Sequence, residues 1–281
     1  MSKSKYTLNK DYFKQINSPD KAYWLGFLYA DGSIQNRGNS KLLELSLAEV
    51  DSHHLEKFLN SIGANNPIKH RISKYKDKEY PSCRITIYNT EFCDDLIKLG
   101  CTIRKTYTIQ FPTNDIVPKE YMRDFIRGLF DGDGCISYGN NGTTLFSIFT
   151  GMEHMMQELS SYLVSEDIIH KIPPIHYDKR SKACSIFIYG DNNKYLLDYI
   201  YKNCDLYLDR KYNKYMDFYK DYQPIDKHGV YWHKENKAYM VTIYINGQNI
   251  RVGQFKDLDE AIKARKEAEI MKMKIENNLP T

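Results

Sequence analysis

The alternation of apolar and polar positions predicts the same order of helices and strands twice along the chain. Each copy opens on an apolar helical run, continues with two alternating stretches, a second helix and two more alternating stretches, and closes on a third helix. The predicted strands cover 33–37, 41–47, 68–75 and 82–88 in the first copy, and 135–138, 144–149, 175–179 and 183–189 in the second. We therefore expect an α+β fold built from two tandem, pseudo-symmetric α-β-β-α-β-β-α units.

The opening helix of each copy has nearly the same sequence. Residues 24–32 read WLGFLYADG, and residues 126–134 read IRGLFDGDG. Small residues stand four positions apart in both, and these are Gly26 and Ala30, then Gly128 and Gly132. Residues with this spacing share one helix face, where small side chains let a second backbone approach closely. The glycine after each aspartate is typical of a left-handed residue that ends a helix. We expect the two helices to pair.

Asp31 and Asp133 fall in the last turns of these helices. A carboxylate is disfavoured at that position, because the negative end of the helix dipole lies there. If the helices are parallel, two carboxylates meet at two negative helix ends, which requires a cation. Oxygen ligands with concentrated negative charge favour a hard divalent ion, so we predict magnesium, with manganese as the second candidate.

The two segments resemble the signature of the LAGLIDADG homing endonucleases, over residues from about 20 to 215. The resemblance implies that the paired helices form the interface of two halves, and that Asp31 and Asp133 bind the catalytic metals. The sequence departs from the family at Tyr29, where the first acidic residue of the signature usually stands, whereas Asp131 keeps it.

An Arg-Lys pair closes each copy, in TIRKT at 102–106 and in LDRKY at 208–212. A lysine near a scissile phosphate can stabilise charge in the transition state or polarise the attacking water. Lys105 and Lys211 are therefore candidate catalytic residues. The alternatives are a phosphate clamp and an ordinary solvated charge.

The alternating strands predict one apolar face toward the helices and one face with hydrogen-bonding side chains. Such a twisted sheet fits a duplex groove, where Arg and Lys serve phosphates and guanine. In the second copy Ser185, Phe187 and Tyr189 belong to that face. The DNA-binding candidates are Gln35, Arg37, Lys41, Lys69, Arg71, Arg84, Thr86, Tyr138, Asn140 and His176. For any single residue, a solvated sheet face is the alternative.

A compact module follows the break at 223–227. Three short strands at 229–233, 238–245 and 249–252 precede an Ala-rich helix that begins at Asp257 or Asp259. The order of Gly229-Val230, Gly253-x-Phe255 and Glu260-Ala261 resembles the APETALA2-type DNA-binding domain. The resemblance implies contacts to the major groove from Tyr231, His233, Thr242, Tyr244, Asn249 and Arg251. Plant domains place Arg at several of these positions, so we expect fewer base-specific contacts; a protein-binding module is the alternative.

Composition adds little to this prediction. The net charge of +4 and the pI of about 8.5 are compatible with a polyanionic partner. Six cysteines without a C-x-x-C pair argue against a zinc ribbon and suit a reducing, cytoplasmic compartment, and no run reaches membrane-spanning length.

We therefore predict domains at 1–115, 116–222 and 223–281 and a monomeric, site-specific endonuclease that cuts double-stranded DNA at a long target. The alternatives are a maturase that binds intron RNA and a DNA-binding regulator that does not cleave.

Overall fold

The computed structural model describes residues 5–76, 78–103, 108–138, 145–178, 183–221, 229–245 and 248–276. The chain divides into two compact units, Met1–Phe218 and Tyr219–Thr281. Of the sequence candidates, Lys105 and Asn140 lie outside the described residues, and the side chain of Tyr244 does as well.

The first unit contains the predicted order of elements twice, so the predicted α+β class is confirmed. The first half consists of α1 (Pro19–Asp31), β1 (Gly32–Arg37), β2 (Ser40–Ala48), α2 (Ser52–Ser61), β3 (Lys69–Tyr75), β4 (Lys78–Tyr88) and α3 (Thr90–Lys98). The second half consists of α4 (Met122–Asp133), β5 (Cys135–Tyr138), β6 (Leu145–Gly151), α5 (Glu153–Ser165), β7 (Ile175–Tyr177), β8 (Cys184–Tyr189) and α6 (Gly190–Tyr201). Helix α7 (Asp209–Asp221) follows.

Each half forms a four-stranded antiparallel sheet with the same topology, β1-β2-β4-β3 in the first and β5-β6-β8-β7 in the second. Successive side chains on a strand point to opposite faces, and directly paired residues point to the same face. One face of each sheet is buried under the helices, through Leu43, Ile85 and Ile87 in the first half and Phe149 and Ile186 in the second. The opposite face of each sheet is therefore available to a partner.

Local signals set the ends of the helices. Ser18 caps α1 by accepting a hydrogen bond from Lys21 N at 3.4 Å, directly before Pro19 at the first helical position. The prediction of a left-handed glycine after α1 and after α4 is wrong, because Gly32 has φ −69° and Gly134 has φ −83°. Space explains these glycines instead: a Cβ on Gly32 would lie 2.7 Å from Leu28 O, and one on Gly134 would lie against the Phe130 ring and 2.5 Å from Phe130 O.

The second unit is a three-stranded antiparallel sheet with one helix. It comprises β9 (Val230–His233), β10 (Ala238–Ile245), β11 (Gln248–Phe255) and α8 (Leu258–Glu276), in the sheet order β11-β10-β9. Asp257 accepts a hydrogen bond from Glu260 N at 3.0 Å and so begins α8. The core consists of Val230, Val241 and Ala261, with Phe255 packed against it. Gly229 has φ +96°, and a Cβ there would lie 3.1 Å from the carbonyl carbon of Thr242.

None of the described helices is long and apolar enough to cross a membrane. All six cysteines are free thiols.

Candidate active site

Helices α1 and α4 pack in parallel through their glycines. A Cβ on Gly26 would lie 2.9 Å from Leu129 N, and a Cβ on Gly128 would lie 2.8 Å from Phe27 N. The two contacts are reciprocal, so a pseudo-twofold axis runs between the helices. Any larger residue at either position would clash with the backbone of the partner helix, so the approach depends on glycine.

The two Asp-Gly ends lie at one end of this helix pair. Asp31 is the last residue of α1, and Asp133 is the last residue of α4. A Cβ on Gly132 would contact Ala30, and would lie 3.3 Å from Oδ2 of Asp31. The carboxylate of the first helix therefore lies against the residue that precedes Asp133. Asp133 is exposed and Asp31 is half-buried, so a substrate can reach both.

These donors would suit a hard divalent metal ion whose remaining ligands come from phosphate and water. The described residues contain no group of three or more His, Cys, Asp or Glu side chains able to hold a metal ion. Magnesium is often bound through one or two carboxylates together with phosphate oxygens and water. Asp31 and Asp133 suit that kind of site, and they do not suit a closed structural metal site.

Lys211 lies behind the end of α4 and caps it. Its ammonium donates hydrogen bonds to Phe130 O at 2.6 Å, Asp131 O at 2.7 Å and Gly132 O at 3.3 Å. Burial lowers the pKa of Lys211 to about 8, although Asp131 and Asp31 favour its charged form. Since Lys211 is 2% exposed and its three hydrogens point to carbonyls, it cannot reach a phosphate in this arrangement. In this arrangement Lys211 caps the end of α4, and its catalytic role stays a prediction.

Asp131, near the end of α4, in turn caps the start of α7. Its carboxylate accepts hydrogen bonds from Tyr201 at 2.5 Å, Tyr23 at 2.8 Å and Leu208 N at 2.8 Å. Burial raises the pKa of Asp131, and Lys211 and the three donors oppose that rise. Helices α4 and α7 therefore hold each other's ends, with a carboxylate at the positive end of α7 and an ammonium at the negative end of α4.

The buried network extends into the first half through His54. The His54 ring nitrogen Nε2 lies 3.0 Å from the hydroxyl oxygen of Tyr23. Because Tyr23 gives its one proton to Asp131, Nε2 carries the proton in this contact, and Nδ1 has no hydrogen-bond partner. Burial lowers the pKa of His54 to about 3. Sequence reasoning missed Tyr23, His54 and Tyr201, whose only signal is a polar ring on an otherwise apolar helix face.

Two ion pairs join helix α2 of the first half, and the residue that precedes it, to the segment that carries Lys211. Arg210 Nε donates to both carboxylate oxygens of the buried Asp51, at 2.9 and 3.1 Å. Lys57 Nζ contacts Asp209 at 2.7 Å and Tyr207 O at 3.1 Å. The position of Lys211 is therefore fixed by both halves.

The first half differs at the position that corresponds to Asp131. Tyr29 donates a hydrogen bond to Leu99 O at 2.6 Å, and Gly100, with φ +99°, leaves room for the Tyr29 hydroxyl. A neutral tyrosine thus replaces the buried carboxylate, so the C-terminal ends of α1 and α4 are not electrostatically equivalent.

The open face of the first sheet is polar and basic. Register places Lys69 beside Arg84, Arg71 beside Ser82, and Thr86 beside Glu44 on this face. Gln35 and Arg37 continue it on β1. Arg84 also pairs with Glu44 at 3.0 Å. Lys41 was expected here, but it pairs in register with Asn36 on the other face, and its ammonium contacts Asp94 of α3 at 2.8 Å.

The open face of the second sheet carries His176 beside Ser185 and Thr150. Tyr138 was expected on the same surface. Because side chains alternate along β5, Tyr138 lies on the same face as the buried Ile136 and not on the open face. Tyr138 is nevertheless 50% exposed, since it stands at the end of the strand. The expected common surface is wrong for Lys41 and Tyr138, because a single step along a strand reverses the face.

In the second unit, the candidate positions share the sheet face opposite α8. Register aligns Tyr231 with Met240, His233 with Ala238, Thr242 with Arg251, and Tyr244 with Asn249. Met240 and Ala238 are buried on this face, and the Arg251 guanidinium lies 3.5 Å from the Met240 sulfur. Tyr231 is 47% exposed. A groove-sized partner could contact this face as a whole.

Comparison with known families finds one match, which lies within the first unit. Residues 120–201 match the family model described as LAGLIDADG-like domain, which covers α4 to α6. Meganuclease I-SmaMI bound to uncleaveable DNA is 14% identical over 72% of this chain and 89% of its own, with a TM-score of 0.45. I-SmaMI bound to cleaved DNA is 16% identical over 73% and 89%, with a TM-score of 0.45. LAGLIDADG homing endonuclease I-GzeII in complex with its DNA target is 13% identical over 89% and 97%, with a TM-score of 0.46. No curated protein matches the chain.

Proposed function

We propose that this chain is a monomeric LAGLIDADG homing endonuclease, which cuts both strands of a long, specific DNA target in a reducing compartment. The observation that carries the proposal is the reciprocal glycine contact of α1 and α4. That contact brings the Asp31 carboxylate against Gly132, next to Asp133. The LAGLIDADG-like match over 120–201 supports it.

The residues of the helix pair divide the work of phosphodiester hydrolysis. A divalent metal held by Asp31 and Asp133, magnesium or manganese, would stabilise negative charge on the scissile phosphates and activate water. Lys211 neutralises the carbonyl end of α4, which lowers the cost of placing Asp133 and a phosphate there. Asp131 and Asp51 hold the segment of Lys211 in place.

The second unit extends the contact with DNA in this proposal, as an APETALA2-type domain would. Its support is the shared face of Tyr231, His233, Thr242 and Arg251, opposite α8. Tyr and His at these positions offer fewer bidentate contacts to guanine than Arg does, so this face would add affinity more than base specificity.

The proposal is tested by cleavage of a supercoiled plasmid that carries the DNA flanking the reading frame, with the insertion removed. We expect double-strand cleavage with magnesium or manganese, and none with EDTA. Asp31→Asn and Asp133→Asn should each abolish double-strand cleavage and leave specific binding intact. Asp115→Asn, which changes an exposed carboxylate elsewhere, is the matched control and should cut normally.

Normal cutting by the Asp31→Asn, Asp133→Asn double variant would refute the enzyme assignment. Specific binding of the duplex by the unmodified protein without cleavage in any metal would favour a regulator. Preferential binding of intron RNA would favour a maturase.

A further inference from the structure

The open faces of the two sheets differ in chemistry although their topology is the same. On the first sheet the open face carries Arg37, Lys69, Arg71, Lys78 and Arg84, with Glu44. On the second sheet the paired positions of the open face are Cys135, Ser137, Phe146, Ile148, Thr150, His176, Ser185, Phe187 and Tyr189. None of these paired positions is Lys, Arg, Asp or Glu, and Asp178, just beyond the ladder, adds a negative charge.

Aromatic rings form a continuous patch on the second face. The ring centroid of Phe187 lies 4.9 Å from that of His176, 6.0 Å from that of Phe146 and 6.1 Å from that of Tyr189. Phe146 and Tyr189 are 5.1 Å apart. Tyr189 is 52% exposed, so the patch is open to a partner. Because its residues lie on three paired strands and pack on one another, the patch is held in one shape.

We propose that the two halves recognise their DNA half-sites by different chemistry: the first sheet by charge and hydrogen bonds, and the aromatic patch of the second by apolar contact with thymine methyl groups. This inference rests on the proposed nuclease function. The two sheets have the same strand order, and the helices α1 and α4 that they cover pack about a pseudo-twofold axis, so we expect both open faces to contact one duplex. In the major groove, the thymine C5-methyl is the apolar group that a base pair presents.

The same contrast predicts different salt dependence for the two halves. Contacts between Arg or Lys and phosphates release counterions, so each contributes a little under one unit to the slope of log affinity against log salt. Apolar contact contributes through buried area and releases no counterions. The charged face of the first sheet should therefore contribute to the salt dependence, whereas the aromatic patch of the second should contribute a preference for thymine that salt does not weaken.

Replacing thymine by deoxyuridine in one half-site removes the methyl groups alone and leaves base pairing intact. We expect affinity to fall about fourfold for each contacted methyl group in the half-site of the second sheet. The same replacement in the other half-site should have no effect. Arg71→Ser identifies the half-site of the first sheet, because base preference should weaken there and the salt slope should flatten.

Two variants test the patch itself. Phe187→Ser and Tyr189→Ser should each abolish or reduce the deoxyuridine effect and leave the salt slope unchanged. Tyr80→Ser is the matched control, since Tyr80 is a half-exposed aromatic residue on the open face of the first sheet. This variant should keep the full deoxyuridine effect.

The outcomes separate this inference from the proposed function. Specific duplex binding with equal deoxyuridine effects in both half-sites, or with none, would overturn the inference alone. Tighter binding of single-stranded RNA, lost specifically in Phe187→Ser, would overturn it in favour of base stacking on the patch. Absence of specific duplex binding by the unmodified protein would overturn the proposed function itself.

Discussion

Two aspartates near the end of α4 should respond oppositely to the same substitution. Asp131 is buried and accepts hydrogen bonds from Tyr201, Tyr23 and Leu208 N. In Asp131→Asn, an amide group replaces one accepting oxygen, so one of these donors loses its acceptor and the buried Lys211 loses the carboxylate that most favours its charged form. Asp133 is exposed at the negative end of the helix dipole, where an asparagine is tolerated.

We expect Asp131→Asn to lower the free energy of unfolding by about 3 kcal/mol, because a buried donor is left without its acceptor and the buried Lys211 charge is left uncompensated. The midpoint of thermal unfolding should fall by about 6 to 12 °C for a unit of this size. Asp133→Asn should keep the stability or raise it by up to about 1 kcal/mol, because repulsion at the helix end is removed.

Urea unfolding followed by circular dichroism measures both changes, and the plasmid assay measures cleavage in parallel. Asp131→Asn should bind DNA and cut slowly at a temperature where it remains folded, whereas Asp133→Asn should not make double-strand breaks. Equal losses of stability in the two variants would refute the role assigned to Asp131. The dependence of the unfolding free energy on urea concentration should be the same in both variants, because the comparison requires the same unfolding transition.

Three further predictions follow from other contacts. The pKa of His54 is lowered to about 3 from 6.5, so between these pH values the unfolded chain binds a proton that the folded chain lacks, and the free energy of unfolding should fall by about 5 kcal/mol as the pH drops from 6.5 to 3. His54→Phe should remove that part of the acid sensitivity in urea titrations. An unchanged pH profile in this variant would contradict the prediction. Asp51→Asn removes the carboxylate that Arg210 binds, so the segment that carries Lys211 is held less firmly; one strand should then be cut more slowly and nicked plasmid should accumulate. Asp95→Asn, which breaks an ion pair with an exposed lysine, is the control and should not accumulate nicked plasmid. A chain that ends near residue 222 should still fold and cleave, with a DNA footprint shortened on one side and a smaller slope of log affinity against log salt. Arg251→Ser in the full chain should reproduce part of that change in slope. An unchanged footprint and slope in the shortened chain would show that the second unit binds something other than DNA.

The sequence predicts those features of the candidate site that depend on local spacing. Gly26 and Gly128 are recognisable because a four-residue interval fixes a shared helix face before any tertiary contact forms. The order of helices and strands follows from the same kind of periodicity, and so does the division of each strand into two faces. Asp31 and Asp133 could be named in advance because each stands at the end of an apolar helical run.

Register and burial decided the rest, because they depend on residues far apart in the chain. Lys41 and Tyr138 lie on the faces opposite to those expected, since one step along a strand reverses the side chain. Gly32 and Gly134 have extended backbones and not the left-handed conformation. Glycine is needed at both positions because a Cβ would be too close to atoms of the preceding helix.

The contacts of Lys211 and Asp131 were decided only by folding. Residues 131 and 211 meet because α4 and α7 pack end to end, and burial then makes each side chain a cap for the other helix. A sequence records that a lysine is present and not which carbonyls it faces. Local periodicity therefore determined the elements and the paired helix ends of this protein, whereas long-range packing determined which charges are buried, which partners they have and which sheet face each side chain occupies.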